Sequence, residues 1–216
     1  MLCLGGAMFA MWFFLTLYMQ NVLGYSPLAA GLAFVPQTAA IALGAGISSR
    51  VLPRVGPRAL LVVGPLVSAS GLAWLSQLSA TGTYVVDILG PGVLIAFGLG
   101  LSFMPVTFAA TSGVPRSDAG LASGLVNTTR QIGGSIGLAA LATIAADHTR
   151  SLLAETAHGR AAIATATASG FGRAFVVASI IAVTASAAAL ILPSFRPPEP
   201  EPVAPERFQG ASAPTR

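Results

Sequence analysis

The chain has 216 residues, of which 54% are hydrophobic and 8% charged, with a formal net charge of +4. An ordinary soluble domain carries about 25% charged residues, so this composition excludes a water-solvated globule and points to a membrane protein. All basic residues are Arg and stand between apolar runs, which speaks for membrane topology and against nucleic acid, while the single Cys3 excludes an internal disulfide and a Cys-based metal site.

Met1 to Ser49 contains no Asp, Glu, Lys, Arg or His. A membrane helix needs about 20 mainly apolar residues, so this run predicts two helices, broken at Gly24-Tyr25-Ser26-Pro27. Further charge-free runs follow at Leu60–Val86, Ile88–Pro115 and Ala174–Phe195. The pattern predicts six spans at 2–23, 27–49, 59–78, 84–112, 118–146 and 172–192. A longer outer loop is predicted at 147–171, carrying Asp147, His148, Arg150, Glu155, His158 and Arg160. From Pro193 to Arg216 the chain is Pro-rich and charged, which predicts a disordered tail. The domain reading is a bundle over 1–192 and a cytoplasmic tail over 193–216.

Six spans put the N-terminus, the loop at 50–58, the loop before residue 118 and the tail on one side. That side holds Arg50, Arg54, Arg58, Arg116, Arg196, Arg207 and Arg216, against Arg150, Arg160 and Arg173 on the other. Arg excess marks the cytoplasmic side, so both termini are expected inside. Gly120 with Gly124, Gly133 with Gly137, Gly44 with Gly46 and Gly98 with Gly100 offer close helix approach.

Arg130 falls about 18 Å into the fifth span at 1.5 Å per residue, near mid-bilayer. A lipid-facing Arg at that depth costs at least about 2.5–3.5 kcal/mol. Asn127, Arg130 and Gln131 share one helix face. Two readings stay open: a cavity-lining group that meets substrate or a coupling carboxylate, and a structural post that hydrogen-bonds neighbouring helices. Apart from Asp118, the first residue of the fifth span, Asp87 is the only acid inside a predicted span. It reads first as a helix-start carboxylate favoured by the dipole and second as a proton-coupling group. Gln37 is a further polar candidate, and Tyr18 and Tyr25 read as interfacial anchors. No Ser/His/Asp set, paired intramembrane carboxylates, metal spacing or phosphate loop occurs, so the chain does not read as an enzyme.

Three blocks resemble major facilitator superfamily transporters of the fourteen-helix drug:proton antiporter branch. They are the hairpin Tyr18 to Pro36, the stretch Gly98-Leu-Gly-Leu-Ser-Phe-Met-Pro-Val-Thr107, and Gly120 through Asn127-Thr-Thr-Arg130-Gln131 to Gly137. The loop with Arg54, Gly56 and Arg58 resembles that family's gating loop, although Pro53 stands where an acid is often found. The resemblance implies an all-α, six-helix transmembrane bundle, the C-terminal half of a major facilitator fold. It further implies a proton-driven efflux transporter working by alternating access, energised by the proton gradient without a cofactor. The implied partners are an N-terminal six-helix bundle, the lipid bilayer and a small apolar or amphipathic substrate. The implied location is a bacterial inner membrane. The alternative is a truncated, non-transporting membrane protein that packs with another subunit.

Overall fold

Hydrocarbon offers no hydrogen-bond partner to a bare peptide group, so long apolar runs must close their bonds internally. The computed structural model describes residues 1–115, 117–155 and 159–191, and among these no strand occurs. Helix α1, Leu2–Leu17, runs on as a π-helical turn at Tyr18–Val22. Helix α2, Pro27–Ala33, is capped by the Ser26 hydroxyl, which accepts from the Ala29 N–H. Then come α3, Val35–Leu75, a π-helical turn Tyr84–Leu89, and α4, Gly90–Thr111. The last two are α5, Ala119–Glu155, and α6, Arg160–Ala189.

Four of the described helical stretches are long and apolar enough to cross a membrane: Leu2–Val22, Pro27–Leu75, Tyr84–Thr111 and Arg160–Ala189. The second has 49 residues, about 74 Å of helix at 1.5 Å per residue. That is more than two bilayer cores. It is two passes folded back at Gly56, whose φ of 76° and ψ of 165° lie in a region essentially reserved for glycine. Pro57 then starts the second arm, where its missing N–H costs nothing. Helix α5 is long enough at 37 residues but is not among the four, since its middle carries Asn127-Thr-Thr-Arg-Gln131.

Close contacts give the helix directions. Along the first arm of α3, Gln37 lies against Gly92 and Gly44 against Gly100, so this arm runs parallel to α4. Along the second arm, Gly71 meets Pro91, Ser68 bonds the Ile95 carbonyl at 3.1 Å and Gly64 meets Gly98, so this arm is antiparallel to α4. Gly6 lies against Gly137 and Leu2 against Gly133, so α1 and α5 are parallel. Ser179 bonds the Ala69 carbonyl at 2.9 Å and Ser186 the Val62 carbonyl at 2.8 Å, which sets α6 antiparallel to the second arm of α3. The result is an up-and-down all-α bundle with Met1, the Arg50–Arg58 turn and the end of α6 at one end.

The interior forms where α1, α3, α4 and α6 converge. Met11, Phe14, Leu15, Leu72, Leu75, Ile95 and Phe175 are almost wholly buried. Phe14 packs on Phe171 and Phe175 with ring centres 5.2 and 5.8 Å apart. Large apolar side chains also face outward, among them Leu28, Leu125, Ile136 and Ile180, as expected where lipid is the solvent.

Several expectations need correcting. The predicted loop at 147–171 is mostly helix: α5 continues to Glu155 and α6 begins at Arg160. Gly172 already faces Ser76, the residue that closes α3, and the turn before it packs on α5: Ala166 and Ala168 are buried and Gly170 lies against the Ala145 carbonyl. Arg150 and Asp147 pair at 2.7 Å on an exposed helical surface, an arrangement worth at most about 1 kcal/mol. The break expected between 49 and 59 shrinks to Gly56, and the second span is interrupted at Phe34, two residues before Pro36. Tyr18 is fully buried and donates to the Ser79 carbonyl at 2.7 Å, so it ties two elements together instead of anchoring in headgroups. Arg116, Glu155's side chain, His158 and the tail from 192 lie outside the described residues.

Glycines divide by what they meet. A methyl on Gly137 would lie 2.6 Å from the Gly6 Cα, whereas nothing lies within 4 Å of Gly120 or Gly124. Gly137→Leu is therefore expected to force α1 from α5 at a cost of about 1–3 kcal/mol, seen as a lowered thermal midpoint in detergent. Gly124→Leu should leave the midpoint unchanged. Equal loss in both variants would show that the α1–α5 contact is not as described.

Candidate functional site

Arg130 is placed by the packing of its own backbone. Its carbonyl and the Gly134 N–H lie against Gly5, and the next turn, Gly133 and Gly137, lies against Leu2 and Gly6. With that face of α5 pressed on α1, the Arg130 side chain turns toward α4. Its guanidinium carbon sits 5.9 Å from the centre of the Phe103 ring. Nη2 donates to Asn127 Oδ1 at 2.6 Å, one turn back on the same helix. Nε is buried and has no partner.

This geometry bears on the two readings of Arg130. A structural post needs hydrogen bonds to other helices, and among the described residues Arg130 makes none. Its contact with α4 is the aromatic face alone. Cation–π contact is worth about 0.5–2 kcal/mol, less than the cost of a cation left in lipid at the mid-bilayer depth expected from the sequence; the structure instead sets the Arg130 backbone level with Gly5, near the Met1 end of α1. No carboxylate reaches it, since the only ion pair among the described residues is Arg150 with Asp147. Asn127 and Gln131 are exposed on the same stretch of helix.

The other sequence-derived residues lie elsewhere. Gln37 is 1% exposed between α3 and the Gly92 backbone, and neither its Oε1 nor its Nε2 has a partner. Asp87 Oδ2 accepts from the Thr83 N–H at 2.7 Å, as a carboxylate at a helix start does. Asp87 and Phe103 are separated along one helical run by about 20 Å or more at 1.5 Å per residue, so Asp87 does not meet Arg130. Tyr84, beside it, donates to the Ala33 carbonyl at 2.9 Å. In the turn, Arg58 Nη2 donates to the Leu190 carbonyl at the end of α6, where a cation is favoured by the helix dipole. Gly56 makes the reversal and Arg54 is exposed beside it.

Sequence reasoning missed Phe103 as the platform under Arg130, and Ser79 and Ala33 as the carbonyls that receive Tyr18 and Tyr84. Phe103 was visible inside the Gly98–Thr107 block but carries no sign of its own. It also missed a cavity of about 500 Å³ at the Met1 end, lined by Leu2, Leu61, Pro65, Val106, Ala109 and Ala185. Its walls are mostly apolar, with Cys3 among them, and none of the candidate site residues Arg130, Asn127, Gln131, Gln37 or Asp87 lines it. A second apolar hollow of about 380 Å³ lies between α1 and α5 at Phe9, Trp12, Phe13 and Leu138.

Comparison with known proteins gives the family. The model of the Major Facilitator Superfamily matches residues 1–138. The cephamycin export protein CmcT of Amycolatopsis lactamdurans is 42% identical over 198 residues, covering 90% of this chain and 38% of that protein. The puromycin resistance protein pur8 of Streptomyces alboniger is 36% identical over 82% of this chain and 35% of its own length. The tetracenomycin C resistance and export protein of Streptomyces glaucescens is 32% identical over 91% of this chain and 43% of its own length. The chain thus spans well under half the length of these relatives. On the family match and the multi-pass helical architecture together, this chain belongs to the major facilitator superfamily of membrane transporters.

Proposed function

We propose that the chain is the C-terminal bundle of a proton-driven exporter of small apolar or amphipathic compounds, of the fourteen-helix branch, working by alternating access. The observation that carries this is Arg130. A cation within a bundle helix, with no carboxylate partner among the described residues and exposed amides beside it, suits a helix that borders a polar cleft, not one that borders lipid. The export and resistance proteins matched above support the same reading. In such transporters the site lies between two bundles, so α1, the first arm of α3, α4 and α5 would face a second, N-terminal bundle. The outward-facing Gly120 and Gly124 suit close approach by that bundle. Proton coupling would then rest on acids of the second bundle, because Asp87 caps a helix start here. The rival is a bundle that packs with another membrane subunit and transports nothing.

Topology follows from charge. Arg50, Arg54 and Arg58 crowd the turn around Gly56, which we place in the cytoplasm of a bacterial cell with both termini. Reporter fusions after Pro57 should read inside, and fusions at Gly159 outside. The reverse pattern would overturn the orientation.

Transport is tested in cells by accumulation of puromycin and of a cephamycin, with and without a protonophore. The chain expressed alone should not lower accumulation. Co-expression with a matching N-terminal bundle should lower it severalfold, and the protonophore should abolish the effect. No efflux from the assembled pair would favour the non-transporting rival. Efflux by the chain alone would point instead to a working assembly of identical bundles.

A further inference from the structure

We infer that Arg130, Asn127 and Gln131 form a binding site for a single carboxylate. The argument is one of donors and acceptors. Arg carries five N–H donors and no acceptor. The Asn127 atom lying 2.6 Å from Nη2 must therefore be its carbonyl oxygen, which turns the Asn127 NH₂ away from Arg130 as a free donor on the exposed side of α5. The neighbouring hydroxyls do not compete as donors. Thr128 donates to the Gly124 carbonyl at 2.9 Å, Thr129 to that of Leu125 at 2.8 Å and Ser135 to that of Gln131 at 3.0 Å. What remains is a half-exposed cation with the exposed amides of Asn127 and Gln131 on the same stretch of helix, and no acid among the described residues pairs with it.

Charge and shape narrow the ligand. Arg130 is the one Arg on this polar stretch of α5; the other described Arg residues lie around the Gly56 turn, near the end of α5, at the start of α6, or level with the end of α3. One positive charge matches a monoanion, and a planar fork matches the two oxygens of a carboxylate. The Phe103 ring lies beneath the guanidinium, its centre 5.9 Å from Cζ. The inference deepens the proposed export function and rests on it for the identity of the ligand as a transported amphipathic acid. A membrane-embedded Asp or Glu of the second bundle has the same chemistry.

The test uses the 216-residue chain in nanodiscs of zwitterionic lipid, with 2-naphthoate and its neutral isostere 2-naphthamide as probes in equilibrium dialysis. Naphthoate should bind at least tenfold more tightly than naphthamide. Arg130→Gln should remove the preference, and Arg130→Lys should keep part of it. Asn127→Asp retains Arg130 but supplies an internal carboxylate, so it should also remove the preference. Circular dichroism and gel filtration check that the variants fold. If Arg130→Gln fails to fold, Asn127→Asp decides. Equal binding of the two probes to the parent chain, or a preference that survives both Arg130→Gln and Asn127→Asp, would overturn the site. Adding the second bundle separates the sources. Undiminished naphthoate binding assigns the site to a free carboxylate. Occlusion relieved by neutralising that bundle's membrane acids assigns it to a protein side chain. Selective binding without efflux would sink the exporter reading alone, and efflux without selective binding would sink this one alone.

Discussion

Hydrocarbon accepts neither a bare charge nor an unbonded peptide group, and the rest of this structure depends on that refusal. It makes the long runs helical, because only a helix closes its bonds within one segment. It sends Arg50, Arg54 and Arg58 to a single turn at one end, and Arg150 with Asp147 to helical extensions at the other. It also isolates the one exception. Arg130 lies on a polar stretch of α5, where the Phe103 ring and Asn127 Oδ1 meet its guanidinium.

Helix association has to be achieved without a hydrophobic drive, since lipid is as apolar as the side chains. Two devices recur here. Glycines bring backbones together, as at Gly6 with Gly137 and Gly44 with Gly100. Serines cross between helices to carbonyls, as Ser48 does to Leu101 at 2.9 Å and Ser179 to Ala69. The α1–α5 contact made by the first device is what turns Arg130 toward α4. At the far end two π-helical turns, Tyr18–Val22 and Tyr84–Leu89, are held by tyrosine hydroxyls. Packing and polar geometry are thus parts of one arrangement.

Much of this was legible in the residues, for reasons that can be named. Charge-free runs report the bilayer directly, so the number and order of helical passes could be read; the depth of Arg130, counted from the start of its helix, could not, and its backbone lies level with Gly5 near the Met1 end. Helix ends could not, because a helix continues into water at no cost; hence α5 and α6 replace most of the loop expected at 147–171. Glycine pairs announced close packing but not which pairs would meet: Gly133 and Gly137 do, Gly120 and Gly124 do not. Tyr18 looked like a headgroup anchor because its partner, the Ser79 carbonyl, is a backbone atom 61 residues away and leaves no mark in sequence. Asp87 was read first as a helix-start group from position alone, and it lies in a first turn where it accepts from the Thr83 N–H. The role of the Arg130 cluster is a matter of which solvent its face meets, and that depends on what lies opposite α5.

The measurement that tests this most directly is the aqueous reactivity of that face. In a Cys3→Ser background, a cysteine introduced at Gln131 and one at Ile180, the latter 59% exposed on α6, are treated with a membrane-impermeant methanethiosulfonate in cells and in inverted vesicles. A polar cleft beside Arg130 predicts labelling at 131 at least tenfold faster than at 180, from one or both sides. Equally slow labelling at both positions would place Arg130 and its neighbours against lipid or sealed protein and contradict the account.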